Sequence, residues 1–408
     1  MIKGFLSSLG EFAKLIIIVF FYTNSQAQTL PSLHGNHYKK ESVSQTNYAL
    51  NFDGSNDHLV TNGGTISTSW SFEVWYKKAS NQSAMNLTNN ATSNNNGTWG
   101  LRLGQWNGIY KVGITKYGVK DYYINDSKAN LDIGKWEHVA WTYKNNLVTV
   151  YINGESLGTT FSRGPLANGA ILYWNIIGKS VRSINGELDE VRIWNDKRTS
   201  SEIKSNMFKE LSGNENGLVA YYKMTDGSGT TVTDNSSNSN SATMVNMDNS
   251  DWISSNAPLG NLLNSYETDV EGFWEHTGTS DSEASDGLSM SVGSSLAEAN
   301  FVVFGNNNDD TGTTSSSLSG ISLRSKREWN FDEQGTVIAD VKIDISDATG
   351  HSGSISAASN YKLLFKTCEF CTFSEVETGD SASGDIITFS SVAIQDGIYS
   401  IASADSNL

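Results

Sequence analysis

The chain has 408 residues, room for about two or three domains, and its composition is that of β structure: 37 Gly, only 3 Pro and 11% aromatic residues among many Asn, Ser and Thr. The formal charge of −16 is uneven: residues 1–27 contribute Lys3, Lys14 and Glu11, residues 28–260 set 20 Lys plus Arg against 20 Asp plus Glu, and residues 261–408 set 6 against 23. Acid concentrated in the last part argues against nucleic acid and anionic membrane as partners, and reads first as a solvated surface that also favours cations.

In chain order, Lys3, Lys14, the apolar run 15–22 and the small residues of Ser25-Gln26-Ala27 predict a signal peptide over residues 1–27, cleaved after Ala27. The run is shorter than the roughly 20 residues that span a bilayer, and no later stretch approaches that length, so the expectation is a secreted or cell-surface protein with no membrane span. Residues 28–46 are polar and aperiodic and read as a linker. Short strands follow. Phe72, Val74 and Tyr76 alternate with Glu73 and Trp75, and residues 136–143 and 147–152 flank Lys144-Asn145-Asn146 as a hairpin, with Asn153-Gly154 following as a type I′ turn. Several such strands predict a sandwich over residues 47–258.

One helix is predicted. Thr199 and Glu202 form a capping box, and Ile203, Met207 and Leu211 share one face, with Gly213 and Asn214 ending it. The last part, residues 261–408, reads as a second, smaller, acidic β-sandwich: Val337, Ala339, Val341, Ile343 and Ile345 mark one apolar face by period two. Cys368 and Cys371 are the only cysteines. A structural zinc site needs four ligands and a redox pair is expected at a helix start, so in an exported chain they predict a local disulfide.

The segments Ala49-Leu-Asn-Phe-Asp-Gly54 with Asp57, residues 71–75, 136–140 and 150–154, Ile177-Gly178, Leu188-Asp-Glu-Val-Arg-Ile-Trp194 and residues 200–203 come in an order that resembles laminin-G-like, concanavalin-A-like jelly rolls of secreted bacterial proteins. The resemblance implies an all-β jelly roll whose first strand lies beside the Asp-Glu-Val strand. It also implies that the polar residues 226–246 join strands of the same sandwich. The part after residue 261 is similar to a small sandwich that accompanies such modules.

Many jelly rolls of this superfamily are glycosidases, and those resembling laminarinases carry Glu-x-Asp-x-Glu on one strand so that two carboxyls share a face. Glu187-Leu-Asp189-Glu-Val191 begins that pattern, but Val191 stands where the last acid is required, and Glu190 is out of phase in a regular strand. No nucleophile elbow or metal-binding His pair accompanies the 6 histidines, and His138 sits inside a strand. No catalytic residue is assigned. A glycoside hydrolase with an acid pair from separate strands, and a structural module of a larger surface assembly, remain the alternatives.

Two other uses of the residues stand out. Asp53, Asp57 and Asp189 could meet at one rim and hold Ca²⁺, which takes six to eight oxygens; turn capping is the simpler role. Trp99, Trp106, Tyr110 and Tyr117, in a Gly- and Asn-rich stretch, have the composition of a sugar platform, whereas Trp70, Trp75, Trp136, Trp141 and Trp194 read as core. The sequence therefore predicts an exported, non-catalytic adhesion or carbohydrate-binding protein whose partner is an extracellular polysaccharide or surface glycoprotein.

Overall fold

Alternating apolar and polar residues resolve into strands in the computed structural model, which describes residues 47–90, 96–162, 164–166, 169–178, 182–277, 283–308 and 311–408. The predicted signal peptide and linker lie outside these residues. An eight-stranded antiparallel sheet runs Glu155–Gly158, Leu147–Ile152, Trp136–Lys144, Ser69–Lys78, Asn185–Trp194, Tyr48–Asp53 and Trp252–Ser254, with Leu218–Tyr222 also on Asn185–Trp194. The first strand pairs with the Asp-Glu-Val strand, Leu50 opposite Leu188, as the resemblance implied. Against this sheet lie a five-stranded sheet containing His58–Val60 and Ile176–Ile177, and a three-stranded sheet of Trp99–Arg102, Gly113–Lys116 and Lys120–Tyr123. Trp70, Phe72, Val74 and Trp141 from the large sheet pack on Leu59, Leu87, Leu101 and Ile114 from the others, each large side chain contributing roughly 1.5–3 kcal/mol of burial. This is a concanavalin-A-like jelly roll.

Local chemistry sets the turns. Asn145 and Asn146 take φ of 53° and 62°, and Asn153 and Gly154 take 52° and 77°, the left-handed pairs a type I′ hairpin requires. Residues 226–246 are part of the sandwich: Thr231–Val232 and Ala242–Val245 pair with each other, and the Asp234 carboxylate accepts from the amides of Tyr221, Ser236 and Asn240.

The helix spans Ser200–Met207 and carries the predicted capping box on Thr199 and Glu202. It stops one turn before Leu211. Arg192 donates to the carbonyls of Asn206 and Lys209, satisfying the helix end from the side and turning the chain away. Leu211 packs instead with Trp194, Leu218 and Tyr221.

In the second sandwich, one sheet contains Thr268–Phe273, Phe301–Asn306, Trp329–Gln334, Gly397–Ser403 and Tyr361–Lys366, and the other contains Leu288–Val292, Ile338–Asp344 and Ile386–Ala393. The predicted apolar face of Val337, Ala339, Val341, Ile343 and Ile345 is buried, although Ile345 already opens a short helix, Ile345–Thr349, capped by Asp344. Cys368 and Cys371 form the predicted disulfide.

The described residues from Asn47 onward form one compact unit. The outer face of the large jelly-roll sheet, with Ala49, Trp75 and Trp136, joins Met207 and Phe208 and is covered by Val270, Trp274, Phe301 and Val303 of the second sandwich. Hydrogen bonds stitch this seam: the Trp274 indole donates to the Trp136 carbonyl at 2.9 Å, and the Glu275 carboxylate accepts from the Trp136 amide at 3.0 Å.

Candidate functional site

The three-stranded sheet builds a groove of about 360 Å³. Its inward residues Trp99, Leu101, Ile114 and Tyr122 enter the core, so period two turns Arg102, Thr115 and Asp121 to the other face. Lys116 and Lys120 flank the hairpin, whose turn needs Gly118 at φ 70°. Gly100 gives Tyr117 room: a Cβ there would stand 2.5 Å from the phenol oxygen, which donates to Asn86 Oδ1 at 2.9 Å.

Of the four predicted platform residues, the structure brings Trp106 and Tyr117 to this groove. Trp106 is 41% exposed and carries the Arg182 guanidinium over its ring at 3.3 Å. Tyr117 is buried in the wall and burial pushes its hydroxyl up to about 12. Trp99 belongs to the core, stacked on Tyr122 at 5.9 Å, and Tyr110 is half-buried outside the groove lining.

The candidate residues that composition did not reveal are two arginines. Arg102 is 1% exposed, yet its Nε and Nη1 have no hydrogen-bond partner among the described residues. Its nearest acid, Asp121, lies 3.9 Å from Nη2 and itself accepts from the Thr115 hydroxyl. Arg182 Nη1 is likewise buried without a partner among the described residues. Burial holds both guanidinium groups below their ordinary values, and for Arg102 the charge of Arg182 adds to this against Tyr117 and Asp121. The groove is thus locally cationic on an acidic protein.

The three carboxylates proposed for calcium do not converge. Asp53 pairs with Asn185, four positions along the strand from Asp189, a separation of roughly 13 Å. Asp57 accepts from the Asp53 amide at 2.9 Å and Asp53 from the Ser55 amide at 2.7 Å, which is turn capping, and burial pushes Asp57 up to about 6. Asp189 is spent on the Ser255 hydroxyl, the Glu190 amide and Asn47. Among the described residues no group of three or more His, Cys, Asp or Glu could hold a metal ion.

Regular alternation would put Asp189 on one face with Val191 and Ile193; it lies on the opposite face. The strand is irregular between Asp189 and Arg192, and Glu190 takes φ 52°, so Leu188, Val191 and Ile193 enter the core while Asp189, Glu190 and Arg192 point outward beneath the helix. There Glu190 accepts from Arg192 Nη2 at 2.5 Å and from the Tyr221 hydroxyl at 2.6 Å. His138 is buried on the same face, 3.6 Å from Glu73; burial drives it well below its ordinary value and pushes Glu73 up to about 7.

A larger cleft, about 730 Å³, opens between the sandwiches and is lined by Glu137, Lys204, Glu271, Trp274 and His276. Burial pushes Glu137 up to about 8 against the Asp132 amide that donates to it at 2.7 Å. Glu271 is paired with Lys204 at 3.1 Å.

Residues 53–204 match the family described as the concanavalin A-like lectin/glucanases superfamily, and residues 276–398 match a domain of unknown function (DUF8202). No curated protein matches the chain. Among solved structures, a Bacteroides ovatus protein provisionally described as carbohydrate binding is 22% identical with a TM-score of 0.40, over 52% of this chain and 61% of that one. Domain 4 of an extracellular arabinanase from Geobacillus stearothermophilus, in complex with arabinotriose, is 20% identical with a TM-score of 0.29, over 38% of this chain and 74% of that one. A heptameric SAP-like pentraxin from Limulus polyphemus is 17% identical with a TM-score of 0.30, over 40% and 82%. The chain thus spans less than two thirds of the first of these.

Proposed function

We propose that this chain is an exported, non-catalytic glycan-binding protein that engages an extracellular polysaccharide or surface glycoprotein through the groove of the three-stranded sheet. The observation that carries the reading is Trp106, 41% exposed at the edge of a groove that is also lined by Val119 and otherwise mostly by polar or charged side chains. An aromatic ring offers sugar C–H faces an apolar surface, while the side chains around it supply the hydrogen bonds that fix orientation. The non-catalytic part is supported by the fate of the acids on the Asp-Glu-Val strand: Asp189 and Glu190 are buried and bonded beneath the helix, away from any groove wall.

The test is a glycan array followed by titration calorimetry of each hit. Binding that falls at least ten-fold in Trp106→Ala, with an unchanged melting temperature, supports the reading, and hits indifferent to Trp106 overturn it. A second reading is favoured by the cleft between the sandwiches, where Glu137 keeps its proton near neutrality while Glu271 sits beside Lys204, an acid and a carboxylate in one cavity. Release of reducing ends from a polysaccharide by the wild type, lost in Glu271→Gln, would establish that chemistry in place of the first.

A further inference from the structure

The partner that the groove's charge demands can be named by chemistry. A guanidinium withdrawn from water requires an acceptor, because an unpaired buried charge is among the costliest features a fold can carry. Arg102 meets that description, with Nε and Nη1 unpartnered among the described residues and only one acid, Asp121, at 3.9 Å. Arg182 places a second guanidinium with an unpartnered Nη1 against the ring of Trp106. Lys116 and Lys120 belong to the other face of the sheet, their ammonium groups over the Trp99 and Tyr122 rings at 5.3 and 5.4 Å, and leave the two guanidinium groups as the cations here. Two guanidinium groups beside one acid repel each other, and an anion entering between them relieves the repulsion and fills the empty hydrogen-bond positions at once. The planar fork of Arg suits an oxyacid with two or more equivalent oxygens.

Resting on the glycan-binding reading above, we propose that the groove is a subsite for an acidic sugar: a carboxylate or sulfate group on a glycan unit binds the guanidinium of Arg102, assisted by Arg182, while the sugar ring lies against Trp106. The shared chemistry is a monoanionic oxyacid on a pyranose. A uronic acid and a sulfate ester both supply it.

Two matched pairs separate these sources and need no variant. Polygalacturonate oligosaccharide is titrated against its carboxyl-reduced counterpart, and a sulfated galactan oligosaccharide against its desulfated counterpart, using the full chain at 50 and 300 mM salt. The expected result is that one acidic member binds about ten-fold to a hundred-fold tighter than its neutral partner, with the advantage shrinking at high salt. The pair that shows the difference identifies the acid. Arg102→Lys, which keeps the charge but loses the fork, should weaken the acidic member at least ten-fold more than the neutral one. Equal binding of both members, still dependent on Trp106, would overturn the acid requirement and leave the glycan reading intact. Binding of neither pair would overturn the acidic subsite, with a neutral polysaccharide panel then deciding the glycan reading separately.

Discussion

Arg102 and Arg192 are buried to the same degree, 1% and 0% exposed, and occupy strands of the same sandwich. Arg192 donates to the Glu190 carboxylate and to the carbonyls of Asn206 and Lys209, so its charge is matched and it ties the helix end to the sheet. Arg102 leaves two nitrogens idle at a groove. What separates Arg192 from the arginine proposed for recognition is therefore the count of partners and not the depth, because the desolvation cost is similar and only one of the two recovers it within the fold.

The most severe test of that distinction is Arg192→Met. It strands Glu190 and the helix-end carbonyls, and should cost about 3–5 kcal/mol in denaturant unfolding. A loss below about 1 kcal/mol would show that the network is dispensable.

Glu137 offers a third way to bury a charge, which is to keep the proton. Its folded value of about 8 exceeds its ordinary 4.5, so the native state binds a proton that the unfolded chain releases. Stability from this group is fully present below pH 4.5, falls as pH rises through that window, and levels off above about 8. Asp132, Lys78, Lys135 and His276 surround it. Glu137→Gln should remove the decline, leaving the variant more stable than wild type at pH 9 by on the order of 2–4 kcal/mol and similar to it at pH 4, as read from paired melts.

Arg102→Met should raise stability by about 1–3 kcal/mol, since the group removed carries a desolvation cost that the fold does not recover. A large loss would move Arg102 into the class of Arg192. The smallest effect is expected from metal: with Asp53 and Asp57 capping their own turn and Asp189 elsewhere, adding Ca²⁺ or a chelator should shift the melting temperature by less than about 1 °C.

The same contrast explains what was legible in the sequence. The capping box at Thr199, the Asn turns and the period-two runs are local, and they marked the helix and the sandwich strands because each names its own conformation, while the jelly roll came from the ordered resemblance. Trp106 was visible as an aromatic in a polar stretch. Trp99 was indistinguishable from it until the strand register turned it inward. The irregularity at Glu190 carries no local signal, so alternation put Asp189 on the wrong face. Arg102 was invisible for a related reason: an Arg next to Leu101 reads as the exposed half of a strand, and only tertiary packing shows that it is enclosed with two nitrogens unpartnered among the described residues.

The seam between the sandwiches bears on how such a chain can be inherited and exchanged. Two family descriptions meet on it, over residues 53–204 and 276–398, as though each were a separate cassette. Yet a cut between them would bare Trp75, Trp136 and Phe208 on one half and Trp274, Phe301 and Val303 on the other. Both offcuts would carry an aromatic scar large enough to drive aggregation. Shuffling that separates the pair is therefore penalised at the level of the orphaned halves, and the two cassettes are expected to travel, duplicate and diverge together.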